Sequence, residues 1–450
     1  MLTGLKRNAN KIGIDATIAF TLFTRIIQAA GGIGSILLIA KYLTADEQGY
    51  YYTFASIIAI QVFFELGLSG IITQYAAHEF AYLTWDASNN LLGEETYKSR
   101  LSSLLRFCVK WFGIIAVALF FILIITGFYF FSTYSKAKTV PDWQLPWILL
   151  SLATVLNLFI DPVLAFFDGV GQIKEMSKIR FAQKGINVIL LYLLLFLNFK
   201  LYASVIATLA SVSCIFIILI LTDNIKKINT IWHHLSIWKV SYVQEILPYQ
   251  WRIALSWISG YFIFQLFNPV LFATEGPKVA GQMGMSLQIL NGIAGLSMSW
   301  IITKIPLYSS LIAQKKFEEL DNTFKKTLKN QMFVNILMIG GFYVIYLIIH
   351  FFKLKFADRF LSPLPLFMLC LVTIINQMIF SWATYLRCHK QEPFLINSIV
   401  GGVLCGLSTI FLGKYFGLFG IVGGYSCLTI FMGLPWSYYI FKTKKAQWHN

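Results

Sequence analysis

The sequence predicts an all-α polytopic membrane protein of about twelve transmembrane helices, arranged as two pseudo-symmetric six-helix bundles. Three observations carry this. Hydrophobic residues make up 57% of the chain and charged residues 12%, with a mean hydropathy of +0.69, whereas soluble chains carry roughly a quarter charged residues. Long apolar runs recur from end to end, each near the ~20 residues that cross ~30 Å of hydrocarbon as a helix. Finally, one short phrase occurs twice, SGIITQ at 69–74 and SWIITK at 299–304.

Taken in order, the runs fall near 17–40, 51–74, 111–133, 145–167, 180–198, 201–222, 251–274, 281–303, 332–352, 363–386, 395–413 and 417–441. They are too long and too uniformly apolar for barrel strands, which need about ten alternating residues. Lys6, Arg7 and Lys11 precede the first run in the manner of a secretory leader. That run is longer than a leader core, and eleven more follow, so it reads as the first helix.

The repeated phrase ends the second run of each half. Upstream of it, TADEQGY (44–50) and EGPKVAGQ (275–282) occupy the same turn, each with a glycine leading into the second run. This order predicts an N-terminal bundle over 1–222, a linker over 223–250 and a C-terminal bundle over 251–450 with a basic tail. An even number of spans per half inserts both halves the same way up, as in parallel-repeat transporters. Residues 313–330, AQKKFEELDNTFKKTLKN, form an amphipathic pattern expected to lie on the membrane surface.

Basic residues set the orientation. With a cytoplasmic N-terminus, most Lys and Arg fall on the inner side, among them Lys98, Arg100, Arg106, Lys226, Lys227, Lys325, Lys326 and the tail Lys442, Lys444 and Lys445. Both termini are then cytoplasmic. The net charge of +16 becomes a rim against anionic lipid headgroups and needs no nucleic-acid partner.

Four stretches carry a resemblance: YLTADEQGYYYTFASI (42–57), FFELGLSGIITQYAAHE (63–79), FFDGVGQIKEMSKIRFAQ (166–183) and IITKIPLYSSLIAQKKFEEL (301–320). In their order and spacing the chain resembles the polysaccharide-biosynthesis, or O-antigen, flippase family (Wzx-like). That family lies within the MOP superfamily, which also holds multidrug exporters of the MATE type and the lipid II flippase. The resemblance implies a MATE-like fold in a bacterial inner membrane. It also implies a cargo of oligosaccharide on undecaprenyl diphosphate, turned from the inner to the outer leaflet by alternating access. Polymerase and other polysaccharide-assembly proteins are the implied partners.

The residues support a lumen on their own terms. A charge within a span is costly and usually faces a cavity. Arg25 lies ~12 Å into the first span and Glu65 ~13 Å from the end of the second, at 1.5 Å per residue, so the two are placed to pair. Arg25, Arg180, Lys184, Arg252 and Lys304 are the candidate cations for a diphosphate. Glu65 and Asp161 are candidates for pairing with those cations or for binding a coupling H⁺ or Na⁺. Gln28, Asn187, Gln265, Asn268, Gln288, Asn291, Asn376 and Gln377 are the polar lumen candidates; as a bland alternative, such amides bond helix to helix. Because cations outnumber anions in and beside the spans, an anionic cargo is favoured over a cationic one.

The alternative reading is an ion-coupled exporter of small molecules. A membrane enzyme of glycan assembly is a third class. No phosphate-cradling or zinc-protease motif is present, and the six cysteines make no C-x-x-C. No catalytic residue, metal or cofactor is therefore expected.

Overall fold

The computed structural model describes residues 31–32, 34–86, 89–135, 141–389 and 391–449, without the side chains of 243, 248, 249 and 252. Ten segments among them are long and apolar enough to cross a membrane. The protein is thus a multi-pass helical membrane protein. The first expected span lies largely outside the described residues. The last counted segment, Leu395–His449, doubles back on itself. Gly417 within it has φ +56°, where glycine alone is unstrained, and a Cβ at Gly420 or Gly424 would collide with Leu412 or Ser408. Such pairs, centred on position 416, are those of an antiparallel helical hairpin. Two spans, as the sequence predicts, therefore share that segment.

The chain forms two compact units. Among the described residues, one comprises those from 31 to 38, Ile60–Phe131 and Asp142–Trp257; the other comprises Ile39–Ala59, those of 132–141 and those from Ile258 onward. These differ from the expected bundles, because the segment 39–59 lies with the C-terminal residues and the linker lies with the N-terminal ones.

In the first unit, α2 (Val62–Glu65) and α3 (Leu68–Phe80) are separated by Leu66 and Gly67, both left-handed at φ 50° and φ 70°. A hairpin follows, β1 (Leu83–Trp85) against β2 (Leu91–Gly93), in antiparallel register with Thr84 opposite Leu92. The sequence reading did not foresee it. Then come α4 (Glu95–Tyr134), α5 (Gln144–Gly169), α6 (Ile173–Phe196) and α7 (Leu201–Leu221). Asn198 and Lys200 make the tight α6–α7 turn with positive φ. Gly169 lets α5 meet the α3 backbone, and Thr73 of α3 donates to Ala165 O of α5 at 2.9 Å. The linker is ordered: α8 (Asn224–His233) leads to a π turn over Tyr242–Ile246 and then to α9 (Leu247–Phe264). It is pinned along α4, where Arg106 and Ser102 donate to Trp232 O, and Ser99 donates to Trp238 O at 2.6 Å.

In the second unit, α1 (Ala45–Ile58) starts with a capping box between Thr44 and Glu47. It packs on α11 (Pro277–Ile302) through Gly49 and Gly281, whose backbones meet. Gln48 donates to Gly281 O at 2.8 Å, and Arg359 donates to Leu43 O at 2.7 Å. This contact places residues 39–59 with the C-terminal half. α10 (Phe267–Glu275) precedes α11, and α12 (Ile305–Ala313), α13 (Phe317–Phe351), α14 (Pro363–Arg387), α15 (Leu395–Cys427) and α16 (Leu434–His449) complete the unit. Residues 313–330 do not form the expected surface helix. From Phe317 they are the first turns of α13, and Leu320, Phe324 and Thr327 are buried there. The amphipathic face finds an aromatic cluster of Tyr308, Trp382 and Tyr385 to cover it, which a sequence pattern alone does not distinguish from lipid.

Candidate functional site

The first unit holds a cavity of about 800 Å³. The left-handed break at Leu66–Gly67 positions one wall. It ends α2 at Glu65, whose carboxylate accepts from Ser69 at 3.1 Å, and it turns α3 so that Gln74, Tyr75 and His78 also line the space. Gly67 is required twice over, by its φ of +70° and by Ile253, whose Cγ2 would lie 2.6 Å from any Cβ. Ile253 and Trp257 of α9 supply an apolar wall, and the Trp257 indole is 47% exposed.

A charged triangle forms another part of the lining. Arg100 of α4 donates through Nε to Glu79 Oε1 at 2.9 Å and through Nη2 to Glu245 Oε2 at 2.6 Å. Glu79 is 2% exposed, and its second oxygen has no hydrogen-bond partner among the described residues. Glu245, in the linker, also accepts from the Ser241 amide at 2.8 Å, and its carbonyl accepts from Tyr75 OH. Burial raises the Glu245 carboxyl, but the donors from Arg100 and Ser241 outweigh it and hold the group below the ordinary range. Glu65, Glu79 and Glu245 thus face Arg100 and His78. Among the described residues of this lining, carboxylates outnumber cations.

Arg180 is paired with Asp168 at 2.7 Å. Lys184 is exposed and, with Glu65 and Arg180, lies within electrostatic reach of exposed Asp161. These four form a mixed-sign group in the first unit. Arg25 and Gln28 lie outside the described residues, as does the Arg252 side chain, so the expected Arg25–Glu65 pair does too. Asn187 reaches Thr208 and Ser211 of α7 at 3.4 and 3.5 Å.

In the second unit most amides join helix to helix. Asn268 donates to Ser56 at 3.0 Å, Gln288 accepts from Tyr52, and Asn376 donates to Tyr425 at 2.8 Å. Gln377 accepts from Ser297 and Gln331. Gln265 sits half-buried in the turn between α9 and α10, while Asn291 and Lys304 are exposed. Sequence reasoning missed Glu79, Glu245, Tyr75 and Trp257, and it read Arg100 as part of the cytoplasmic rim. Its only signal was a carboxylate closing the quoted stretch 63–79, with its partner in a linker whose path no periodicity reveals.

The fold and this cavity define a class, multi-pass helical membrane proteins of MATE-like architecture. No protein-family model matches the sequence, and no curated protein matches it. Solved structures do. The chain is similar to the lipid II flippase MurJ in an inward closed conformation, with TM-score 0.61, 14% identity, and coverage of 95% of this chain and 88% of that one. It is similar to the MATE multidrug transporter DinF-BH, with TM-score 0.60, 13% identity, and 96% and 95% covered. A third is a MOP superfamily transporter from Pyrococcus furiosus whose binding pocket has reverse polarity, suggesting a different function, with TM-score 0.56, 13% identity, and 96% of each chain covered. At such identities the likeness establishes the MATE-like fold that the sequence predicts.

Proposed function

We propose that the chain is a translocator that passes an amphipathic, glycan-bearing lipid, an oligosaccharide on undecaprenyl diphosphate, from the inner to the outer leaflet by alternating access. One observation carries the reading: the cavity combines an exposed indole with carboxylates. Sugar hydroxyls donate well to Glu65, and such charge-assisted bonds are strong and directional. The apolar face of a sugar ring packs on Trp257 as apolar groups pack on any aromatic face. The diphosphate needs cations, for which Lys184 and Arg25 are the candidates. Glu65 and Asp161 are the candidates for a coupling H⁺ or Na⁺.

A second reading has its own support. The carboxylate excess of Glu65, Glu79 and Glu245 over Arg100 favours a cationic small molecule, as an ion-coupled exporter would carry. Arg100 already neutralises much of that excess, so we rank it second.

The test is a flipping assay in proteoliposomes, reading the accessibility of labelled undecaprenyl-diphosphate oligosaccharide to an external quencher. Wild-type protein should accelerate flipping. Trp257→Ala should slow it about five- to tenfold, the loss of ~1–1.4 kcal/mol of aromatic contact. No acceleration by the wild type, or an unchanged rate in Trp257→Ala, would sink the proposal.

A further inference from the structure

Away from the cavity, in the second unit, a group of titratable side chains holds the end of α16 against α13 and α14. His389 follows α14 and His449 ends α16. Their Nε2 atoms stand 3.3 Å apart, and the His449 side chain is 10% exposed. Asp321 of α13 accepts from Tyr385 OH at 2.6 Å and pairs with Lys445 of α16 at 2.7 Å. Its Oδ2 lies 3.9 Å from His449 Nδ1, an ion-pair distance too long for a hydrogen bond. The Phe317 ring stacks on His449 at 4.3 Å, and the Trp448 ring lies 4.8 Å from His389. Neither Nδ1 has a hydrogen-bond partner of good geometry among the described residues, and the His389 ring is influenced by the Tyr385 and Leu386 backbone.

Two facing imidazole nitrogens can share one hydrogen, one ring donating and the other accepting. A first extra proton is tolerated, because the His449 Nδ1 side looks toward Asp321. A second leaves both Nε2 atoms carrying hydrogen 3.3 Å apart; the His449 N–H can turn toward the Tyr385 hydroxyl at 3.4 Å, but the bond between the rings is lost and two positive rings face each other. Lys445 adds a third positive charge. Among the described residues, Tyr385, Tyr308 and Cys388 are further titratable groups beside them, and Arg387 is tied to Glu392 at 2.7 Å.

We propose that His389 and His449 form a pH-operated latch for the C-terminal helix. It holds α16 while at most one of the two rings is protonated and releases it when both are. Release uncovers the aromatic surface of Phe324, Trp382 and Tyr385 that Phe441 now covers. Burial, the main influence on His389, lowers its proton affinity below the ordinary value. A base lowered in this way stabilises the docked form fully above the free imidazole value of about 6.5. That contribution is lost as the pH falls below it.

Hydrogen exchange of α16 in the full-length protein in lipid nanodiscs, corrected for intrinsic rates, tests this from about pH 8 to about pH 5. Wild-type α16 should lose protection on acidification, by about tenfold per pH unit for each proton taken up, while α14 stays protected. His389→Gln keeps a donor and an acceptor but takes no proton, so its α16 should stay protected throughout; His449→Gln should behave alike. No acid release in the wild type overturns the latch, as does release of both variants at the wild-type pH. Loss of protection at every pH in both variants would show simple packing. Protection of the acidified wild type by stoichiometric zinc would show a metal pair. Either result would also overturn it.

Discussion

Arg100→Ala is the sharpest probe of the charged triangle. Arg100 is 24% exposed, Glu245 30% and Glu79 2%. Removing the guanidinium leaves the buried Glu79 with His78 Nδ1 at 3.7 Å as the remaining cationic neighbour of its first oxygen, and its second has no hydrogen-bond partner among the described residues. Breaking a buried ion pair from one side costs about 3–5 kcal/mol. The partial exposure of Arg100 and Glu245 puts this case at the lower end, about 3 kcal/mol. For a unit of roughly 200 residues, each kcal/mol moves the midpoint ~2–4 °C, so thermal unfolding in detergent should fall by roughly 6–12 °C. Arg100→Ala/Glu79→Gln should recover about half of the loss, because the stranded charge is gone. Arg100→Lys should fall between, keeping charge but not the two-armed geometry. A midpoint for Arg100→Ala within about 1 °C of wild type would refute the reasoning, since it would mean that Glu79 is solvated.

Two further outcomes follow from the same contacts. The Glu245 carboxyl is held below its ordinary value, so its stabilising share is full above about pH 4.3 and lost as the pH falls through the lowered value; hydrogen exchange should show residues 232–245 loosening from α4 only below that point, and in Glu245→Gln loosening should be largely pH-independent. Gly49→Ala would drive a Cβ into the Pro277 backbone and should cost about 1–3 kcal/mol in chemical denaturation, whereas Gly341→Ala in open space on α13 should gain about 0.5–1 kcal/mol.

Much of the fold was legible because lipid imposes length and apolarity on every span. The turn at 198–201 and the reversal at Gly417 both fell where the runs broke. The departures arose where a pattern has two partners to choose from. Residues 313–330 read as a membrane-surface helix, yet their apolar face meets Tyr308 and Tyr385. The site was less legible. Glu65 could be found because a charge inside a span is costly. Glu79 and Glu245 lie at a helix end and in a linker, where carboxylates are ordinary, and only the folded path of 232–245 along α4 brings them to Arg100. The pairing of Arg180, a candidate lumen cation, with Asp168 twelve residues earlier, across a turn, was not legible from spacing. The amides of α11 and α14 mostly follow the bland alternative, joining one helix to the next.

The central claim, that the cavity accepts a glycan-bearing lipid, is tested most directly by offering one preparation two cargoes. Proteoliposomes holding the wild-type protein are given labelled undecaprenyl-diphosphate oligosaccharide in the bilayer and a cationic dye outside, with and without an imposed pH gradient. The account predicts accelerated flipping of the lipid, slowed by Trp257→Ala, with no protein-dependent movement of the dye. Dye transport driven by the gradient and abolished in Glu65→Gln, with the lipid left in its original leaflet, would contradict it.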